Sequence, residues 1–526
     1  MHRYSFSLSP VSSRFTRSSR FLACFLLAAG ASSLPAQSNS EAPFLSLESA
    51  VSTALERNLG LAVDRYNPAI EAQNVITAES EFDVNVFANV RYNQSEQEAQ
   101  NTTSDSRSYS AGVSKRIRTG AEITAQTTLG RNDGSYYDEQ QARPVGGQLR
   151  ETASLSLSVT QPLLRGFGTE VTLADLRRAR FASDAARLRL RAGILDLLVE
   201  VEQGYWQVAD ADARLQFRQS NLELARRLVE EVRERNNLGL ATDLEVLQAE
   251  ANLAQREQEI LDAERLVSER TDALFATLGE LENNSAIDRE VGVANIPEIP
   301  ERLPAFDAVW SGALRNSLET AAQEAVIEQR SLDLLLAKNA TRPQLDVTLS
   351  GGYSGISDDA DASGRDAYER AFDREGEEWG VALTFNYPFG ARADYARKRQ
   401  AEYRQRQAEG ELAVLKQNLL RDTRAAWRNL EVARKQVEAS RTTVRLQEAT
   451  FEQERGRYEE GISTVRDILE IQADLDNARI GLLDAQYQAI LAEVRLERLE
   501  GTLLDRHGLT WPALDETDES LSPNNP

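Results

Sequence analysis

FDVNVFANVRYN (residues 82–93) is the stretch on which the fold turns. Its even positions, Phe82, Val84, Val86, Ala88, Val90 and Tyr92, are all apolar, and its odd positions are polar except Phe87. Successive side chains of a strand point to opposite faces, so this pattern predicts a strand with one apolar and one wet face. SLSLSVT (154–160) repeats the pattern, as do Leu345, Val347, Leu349 and Tyr353, and Val381, Leu383, Phe385 and Tyr387. Tyr109, Ala111, Val113 and Ile117, and then Ile123, Ala125 and Leu129, add two segments joined only by RTG (118–120), a tight hairpin. The expected strands are 82–94, 108–117, 121–130, 153–161, 345–354 and 379–388, six per chain. A soluble half-buried sheet would alternate in the same way. Strands of about ten residues, apolar on one face and joined by short turns at one end and long polar loops (95–107, 131–152, 356–378) at the other, are what an outer-membrane barrel requires.

The flanking sequence is helical in texture. No proline occurs in 173–236 or in 392–460, and at ~1.5 Å per residue each helix would span roughly 100 Å. Leu430, Val437, Val444, Phe451 and Tyr458 recur every seven residues, and Ile194, Leu198, Val201, Tyr205 and Val208 follow a four-three rhythm, both coiled-coil spacings. Shorter helices are expected at 243–279 and 464–500, and at about 47–81 and 306–340. The textures therefore run twice: a first repeat over 37–294, a second over 305–508, and between them NIPEIPERLP (295–304), whose prolines break any helix.

The amino terminus reads as a signal peptide, 1–36. Arg3, Arg14, Arg17 and Arg20 form a basic region ahead of FLACFLLAAGA (21–31), which is too short to span a membrane as a helix. Cys24, the one cysteine, lies inside that apolar run. The mature chain would then lack thiols and carry one histidine, His507, so a Cys- or His-based metal site is excluded and no cofactor is expected. Neither a phosphate-binding G-x-x-x-x-G-K nor a G-x-G-x-x-G loop is present. A net charge of −23, more negative once the leader is gone, argues against nucleic acid. These absences argue against an enzyme. No later segment suits a membrane-spanning helix, so entry into a membrane would have to be as a closed barrel.

Each long helix runs into a glycine turn and an amphipathic helix: NNLGLATDLEVLQAEANLAQ (236–255) and RYEEGISTVRDILEIQADLDNA (457–478). Gly239 and Gly461 can end a helix in the left-handed conformation, and Thr242 and Thr464 (or Ser463) can cap the next. VTQPLLRGFG (159–168) and FNYPFGARADYARKR (385–399) pass from strand to helix, with Pro162 and Pro388 at strand ends where no ladder donor is needed. With these segments in this order in both halves, the chain up to about Gly508 resembles the TolC-type outer membrane efflux family, leaving 509–526 as a polar tail.

The resemblance implies a mixed α/β membrane protein: a homotrimer forming a transmembrane β-barrel in outer membrane lipid, continued by a long antiparallel α-helical coiled-coil periplasmic tunnel built from two sequence repeats. It implies passive export from a Gram-negative cell together with a periplasmic adaptor (membrane fusion) protein and an inner-membrane transporter, with no cofactor. The counted strands would then make 18 per trimer. By motif alignment Asp467 and Glu470 match the acids ringing the pore constriction. Tyr458 matches a tyrosine of the closing network, and Glu245 an acid that in other members accepts an arginine. Here that arginine's position is Ser463, leaving Arg466 as a nearby substitute. Alternatives are a type I secretion conduit for polypeptides, a secreted coiled-coil structural protein, and a periplasmic adaptor, whose lipoyl-like β-domain is not found.

Overall fold

The computed structural model describes residues 44–97, 102–138, 143–146, 149–281, 292–294, 303–358 and 363–511. The expected signal peptide, most of the proline-rich linker and most of the tail lie outside them.

The amino-terminal helical region is three helices rather than one: α1 (Leu47–Arg57), α2 (Leu59–Asp64) and α3 (Tyr66–Glu79). Asn58 is the reason for the first break. Its backbone leaves the helical region, and its side chain accepts from Leu61 N–H to cap α2. The strands follow: β1 (Val84–Gln97), β2 (Thr102–Arg116), β3 (Glu122–Asp138), the short β4 (Arg143–Gly146) and β5 (Arg150–Pro162). A single turn, α4 (Thr169–Thr172), leads into the 64-residue α5 (Ala174–Asn237), then α6 (Asp243–Leu278). In the second half, α7 (Phe306–Asn316) and α8 (Leu318–Ala340) are split by Ser317, which caps α8 through Thr320 N–H. Then come β6 (Gln344–Ser357), α9 (Gly364–Phe372), β7 (Gly376–Asn386), the 68-residue α10 (Arg392–Glu459), α11 (Val465–Glu500) and α12 (Leu503–Arg506).

Six strands form one antiparallel meander in the order β1-β2-β3-β5-β6-β7, with β4 pairing off β3. Several bounds differ from expectation. Phe82 sits in a 3-10 turn (Ser80–Phe82), so β1 begins at Val84. The polar stretches 95–107 and 131–152 are not loops throughout, because β1, β2, β3 and β5 run on into them; backbone pairing continues where the alternation has stopped. The expected loop 356–378 holds α9, seeded by Ser363 accepting from Asp366 N–H. Pro162 is the last residue of β5, whereas β7 stops at Asn386, short of Pro388.

Register shows what alternation alone cannot. Val84, Ile123, Val159, Leu349 and Val381 lie in one cross-strand row, and Val86, Val113, Ala125 and Leu157 in the next. Phe87 apart, the alternating apolar positions of all six strands therefore fall on one face, which Lys115 joins in the row of Val84, and the other face is mainly Ser, Thr, Asn and Gln. That apolar face is exposed in the single chain: Val86 is 74%, Leu383 65% and Trp379 82% accessible.

The main core lies midway along the helices, where α5 meets α1, α6, α11 and α12. Ile194, Leu198, Val201, Tyr205 and Val208 are all buried there, as their spacing predicts. Tyr205 donates from its hydroxyl to Leu45 O (3.0 Å) and accepts from Ala294 N–H (2.8 Å), tying both chain segments beside it to the core. His507 belongs to this core, its Nε2 2.7 Å from Oε1 of the fully buried Glu202. The tail reading holds less well at its start, since Leu509 and Trp511 pack on the same cluster, with Arg191 stacked 5.2 Å from the indole.

Candidate functional site

Two helical hairpins, α5–α6 and α10–α11, end in turns of the same construction. Gly239 (φ 75°) and Gly461 (φ 77°) adopt the left-handed conformation that side chains disfavour. Their N–H groups bond back to Asn236 O (2.8 Å) and Tyr458 O (3.0 Å). The next residues, Leu240 and Ile462, bond to Arg235 O and Arg457 O, both at 2.8 Å. This is the Schellman pattern, which satisfies the last carbonyls of each long helix.

Thr242 and Thr464 then start the return helices with full capping boxes. Glu245 N–H donates to Thr242 Oγ1 (3.3 Å), while Glu245 Oε2 accepts from Thr242 N–H (2.7 Å). Asp467 does the same at Thr464, accepting its N–H at 3.2 Å and its hydroxyl at 2.8 Å. Glu245 and Asp467 therefore each carry a structural task. T-D-L-E (242–245) and T-V-R-D (464–467) are capping signatures, so the sequence carries a second, local reason for an acid at each of these positions. The bonds from Thr464 hold the Asp467 carboxyl below its ordinary range.

Glu470, one turn along α11, is exposed like Asp467. Ser463 stays within its own hairpin: its hydroxyl donates to Glu454 and lies 3.5 Å from Asp467 Oδ2. Glu454 also pairs with Arg457 at 2.9 Å. Arg466 is exposed and makes no hydrogen bond or ion pair among the described residues, so within the single chain it does not take over as the partner of Glu245.

Tyr458 is buried (4%), and its partner is one that sequence reading missed. Arg235, in the last turn of α5, stacks 4.5 Å from the ring and donates to Tyr458 O at 3.2 Å. Burial pushes the Tyr458 hydroxyl up, with Arg235 opposing. Tyr458 also packs with Val229, Val232, Val465 and Ile468, so the two hairpins share one apolar cluster just behind their turns. Further from the tips, buried Arg256 on α6 meets buried Asp476 on α11 at 2.9 Å. Desolvation raises the Asp476 pKa and Arg256 lowers it. No periodicity distinguishes Arg235, Glu454 or Arg256 from the many charged helix residues around them. Beyond the turns, Leu238 (74%), Leu240 (70%) and Ile462 (64%) are exposed.

Nothing in this arrangement is a catalytic constellation. It is a pair of helical tips, locked side by side and carrying exposed acids and leucines. Comparison with known proteins agrees. The family model described as "Outer membrane efflux protein" matches residues 120–280 and 309–502. The chain is 22% identical over 376 residues to the outer membrane efflux protein BepC of Brucella suis, covering 71% of this chain and 77% of that one. It is 21% identical over 412 residues to the outer membrane protein TolC of Escherichia coli, covering 75% and 82%. Among solved structures, the outer-membrane channel OprN superposes with a TM-score of 0.65 at 17% identity, covering 86% of this chain and 89% of that one. The MtrE outer membrane channel of Neisseria gonorrhoeae gives 0.61 at 18%, covering 88% and 91%. A secreted coiled-coil protein would leave the exposed apolar sheet face without a purpose. The chain belongs to the outer membrane efflux protein family, and is accordingly a conduit of the outer membrane with a periplasmic helical part, not an enzyme.

Proposed function

We propose that three copies of this chain close one transmembrane barrel of about 18 strands, six from each, and one helical tunnel beneath it. The observation that carries this reading is the six-stranded meander with a single apolar face and two unpaired edges, β1 and β7. With an even number of strands, β1 of one copy meets β7 of the next antiparallel, so copies can pair edge to edge until the ring closes. Closure removes the open edges, which neither water nor lipid tolerates well. The exposed Val86, Leu383 and Trp379 then face lipid, and the Ser/Thr face lines the lumen. The two hairpins, of 64 and 36 and of 68 and 36 residues with matching turns, support reading the halves as structural repeats.

At the periplasmic end, Asp467 and Glu470 are three residues apart on α11 and so lie on one helix face. Threefold symmetry would gather them into an acidic constriction. The exposed Leu238, Leu240 and Ile462 are the surface offered to an adaptor protein that links the tunnel to an inner-membrane transporter. Recording single channels of the Asp467→Ala, Glu470→Ala double variant in planar bilayers tests this. The wild type should be cation-selective and blocked by multivalent cations from the periplasmic side, and the variant should lose both properties. An unchanged selectivity and block would remove these residues from the constriction.

A further inference from the structure

Helix α9 has no place in the conduit just described. It is anchored firmly nonetheless. Ala367 and Ala371 are fully buried against Ala153 and Leu129 of the sheet. Tyr368 and Thr127 hydroxyls lie 2.9 Å apart. Gly355 permits the seating, since a Cβ there would come within 2.2 Å of Ala367 O.

Register identifies the face on which α9 sits. Leu129 pairs with Ala153, and Ala153 with Gly355, in the row that also holds Val90 and Tyr109. That is the apolar face, at its end far from the long helices. The connection between β6 and β7 therefore folds over the outside of the sheet and not over the Ser/Thr face.

One row further out the face changes character. Tyr92, Arg107, Arg131 and Glu151 lie side by side, with the two arginines directly opposite each other. Like charges in that relation repel. Arg131 is neutralised by Glu151 at 3.2 Å, which is buried beneath the start of α9. Arg107 has the Tyr92 ring at 5.6 Å and no ion pair among the described residues. Just past α9, Arg374 lies over the Tyr353 ring at 5.3 Å. The following row outward is acidic, with Asp105 opposite Asp133. On this face arginine therefore gathers at the outer margin of the apolar band, beside aromatic rings and a helix whose Phe372 is 69% exposed, while Lys115 sits at the opposite margin in the row of Val84.

We infer that α9 is a membrane-interface helix on the outer surface of the barrel, and that Arg107 and Arg374 beside it bind the phosphates of lipid headgroups. An arginine just beyond a hydrocarbon-facing surface meets the headgroup layer, where charge-assisted bonds to phosphate are available. An amphipathic helix lying on that boundary buries its apolar side and leaves its charged side wet. The inference rests on the barrel reading above, and the test separates the two.

The full chain, in a Cys24→Ser background, is reconstituted in vesicles of phosphatidylcholine with or without phosphatidylglycerol. Nitroxide labels are placed at Phe372→Cys, at Leu383→Cys on the apolar face, and at Leu240→Cys on the tip. The Phe372 label should be several-fold more accessible to oxygen, relative to a water-soluble nickel chelate, than the Leu240 label. If the Phe372 label behaves like Leu240 while the Leu383 label is in lipid, the interface helix is wrong and the barrel stands. If the Leu383 label is also in water, the barrel reading itself fails. Native mass spectrometry then counts retained phosphatidylglycerol. The Arg107→Gln, Arg374→Gln variant should retain at least threefold less than wild type, and inorganic phosphate should not displace the lipid. Equal retention by the variant, or displacement by inorganic phosphate, would overturn the headgroup assignment.

Discussion

Thr464 and Asp467 carry two demands in the same few atoms. Asp467 must hold the first turn of α11 and, in the proposed trimer, present charge to the lumen. Its carboxyl is held low by Thr464, so its contribution to the turn is present above the ordinary aspartate value of about 3.9 and is lost as pH falls through the lower folded value. Amide exchange protection in the first turn of α11 should therefore be constant from neutrality down to about pH 5 and fall only below about pH 4. A loss of protection near pH 6 would mean that repulsion among carboxylates outweighs the capping bonds. At the first tip, Thr242→Ala removes a cap without touching a lumen acid, and should cost about 1 kcal/mol in thermal or denaturant unfolding. The buried pair is a larger matter. Arg256→Ala leaves Asp476 buried without its counter-charge, and breaking such a pair costs about 3–5 kcal/mol. Pulse proteolysis of the assembled protein should show it, and wild-type resistance would count against the pair joining α6 to α11.

Among the helices, α10 shows how far a heptad repeat is satisfied by one chain. Leu430 (4%) and Val437 (3%) are buried, the latter against Ala485 and Ala489 of α11, whereas Val444 and Phe451 are half-covered. Val437→Asp should therefore disrupt the hairpin itself, by burying an unpaired charge. Val444→Asp should act mainly on assembly, by spoiling a surface left for another copy. Comparing helix content with heat resistance of the oligomer in detergent separates the two. Equal effects on both measures from both variants would refute the distinction. In the sheet, Leu383→Arg puts a charge on the exposed apolar face, and should cost about 2–4 kcal/mol if the residue lies near the bilayer midplane. Assembly as efficient as wild type would show that this face does not meet lipid.

For the whole molecule, copy number and barrel closure are what a particle-level measurement reads. The exposed apolar face and the two free edges are unstable in isolation, so a monomer should not persist outside detergent. A density map of the detergent-extracted particle should show threefold symmetry and about 18 strands. Twelve strands, with β2 and β3 outside the wall, would contradict the continuous pairing of β1 through β7.

The long helices, their turns and the six alternating segments were legible in the sequence because each is a local pattern. Proline-free runs propagate helix, a Gly–Leu or Gly–Ile step ends it, and side-chain alternation follows from strand geometry. Gly239, Gly461, Thr242 and Thr464 do the tasks their neighbours announce. Local patterns say nothing about which strands are neighbours, where pairing outlasts alternation, or what a long polar loop does. Only tertiary structure showed that the alternating apolar positions of six strands share one face, that β1 and β2 extend well past their apolar cores, and that α9 sits on that face. The same holds for Arg235 on Tyr458, Arg256 on Asp476 and His507 on Glu202. Each joins residues far apart in the chain, and a charged side chain on a helix reads the same in sequence whether it meets water or a partner.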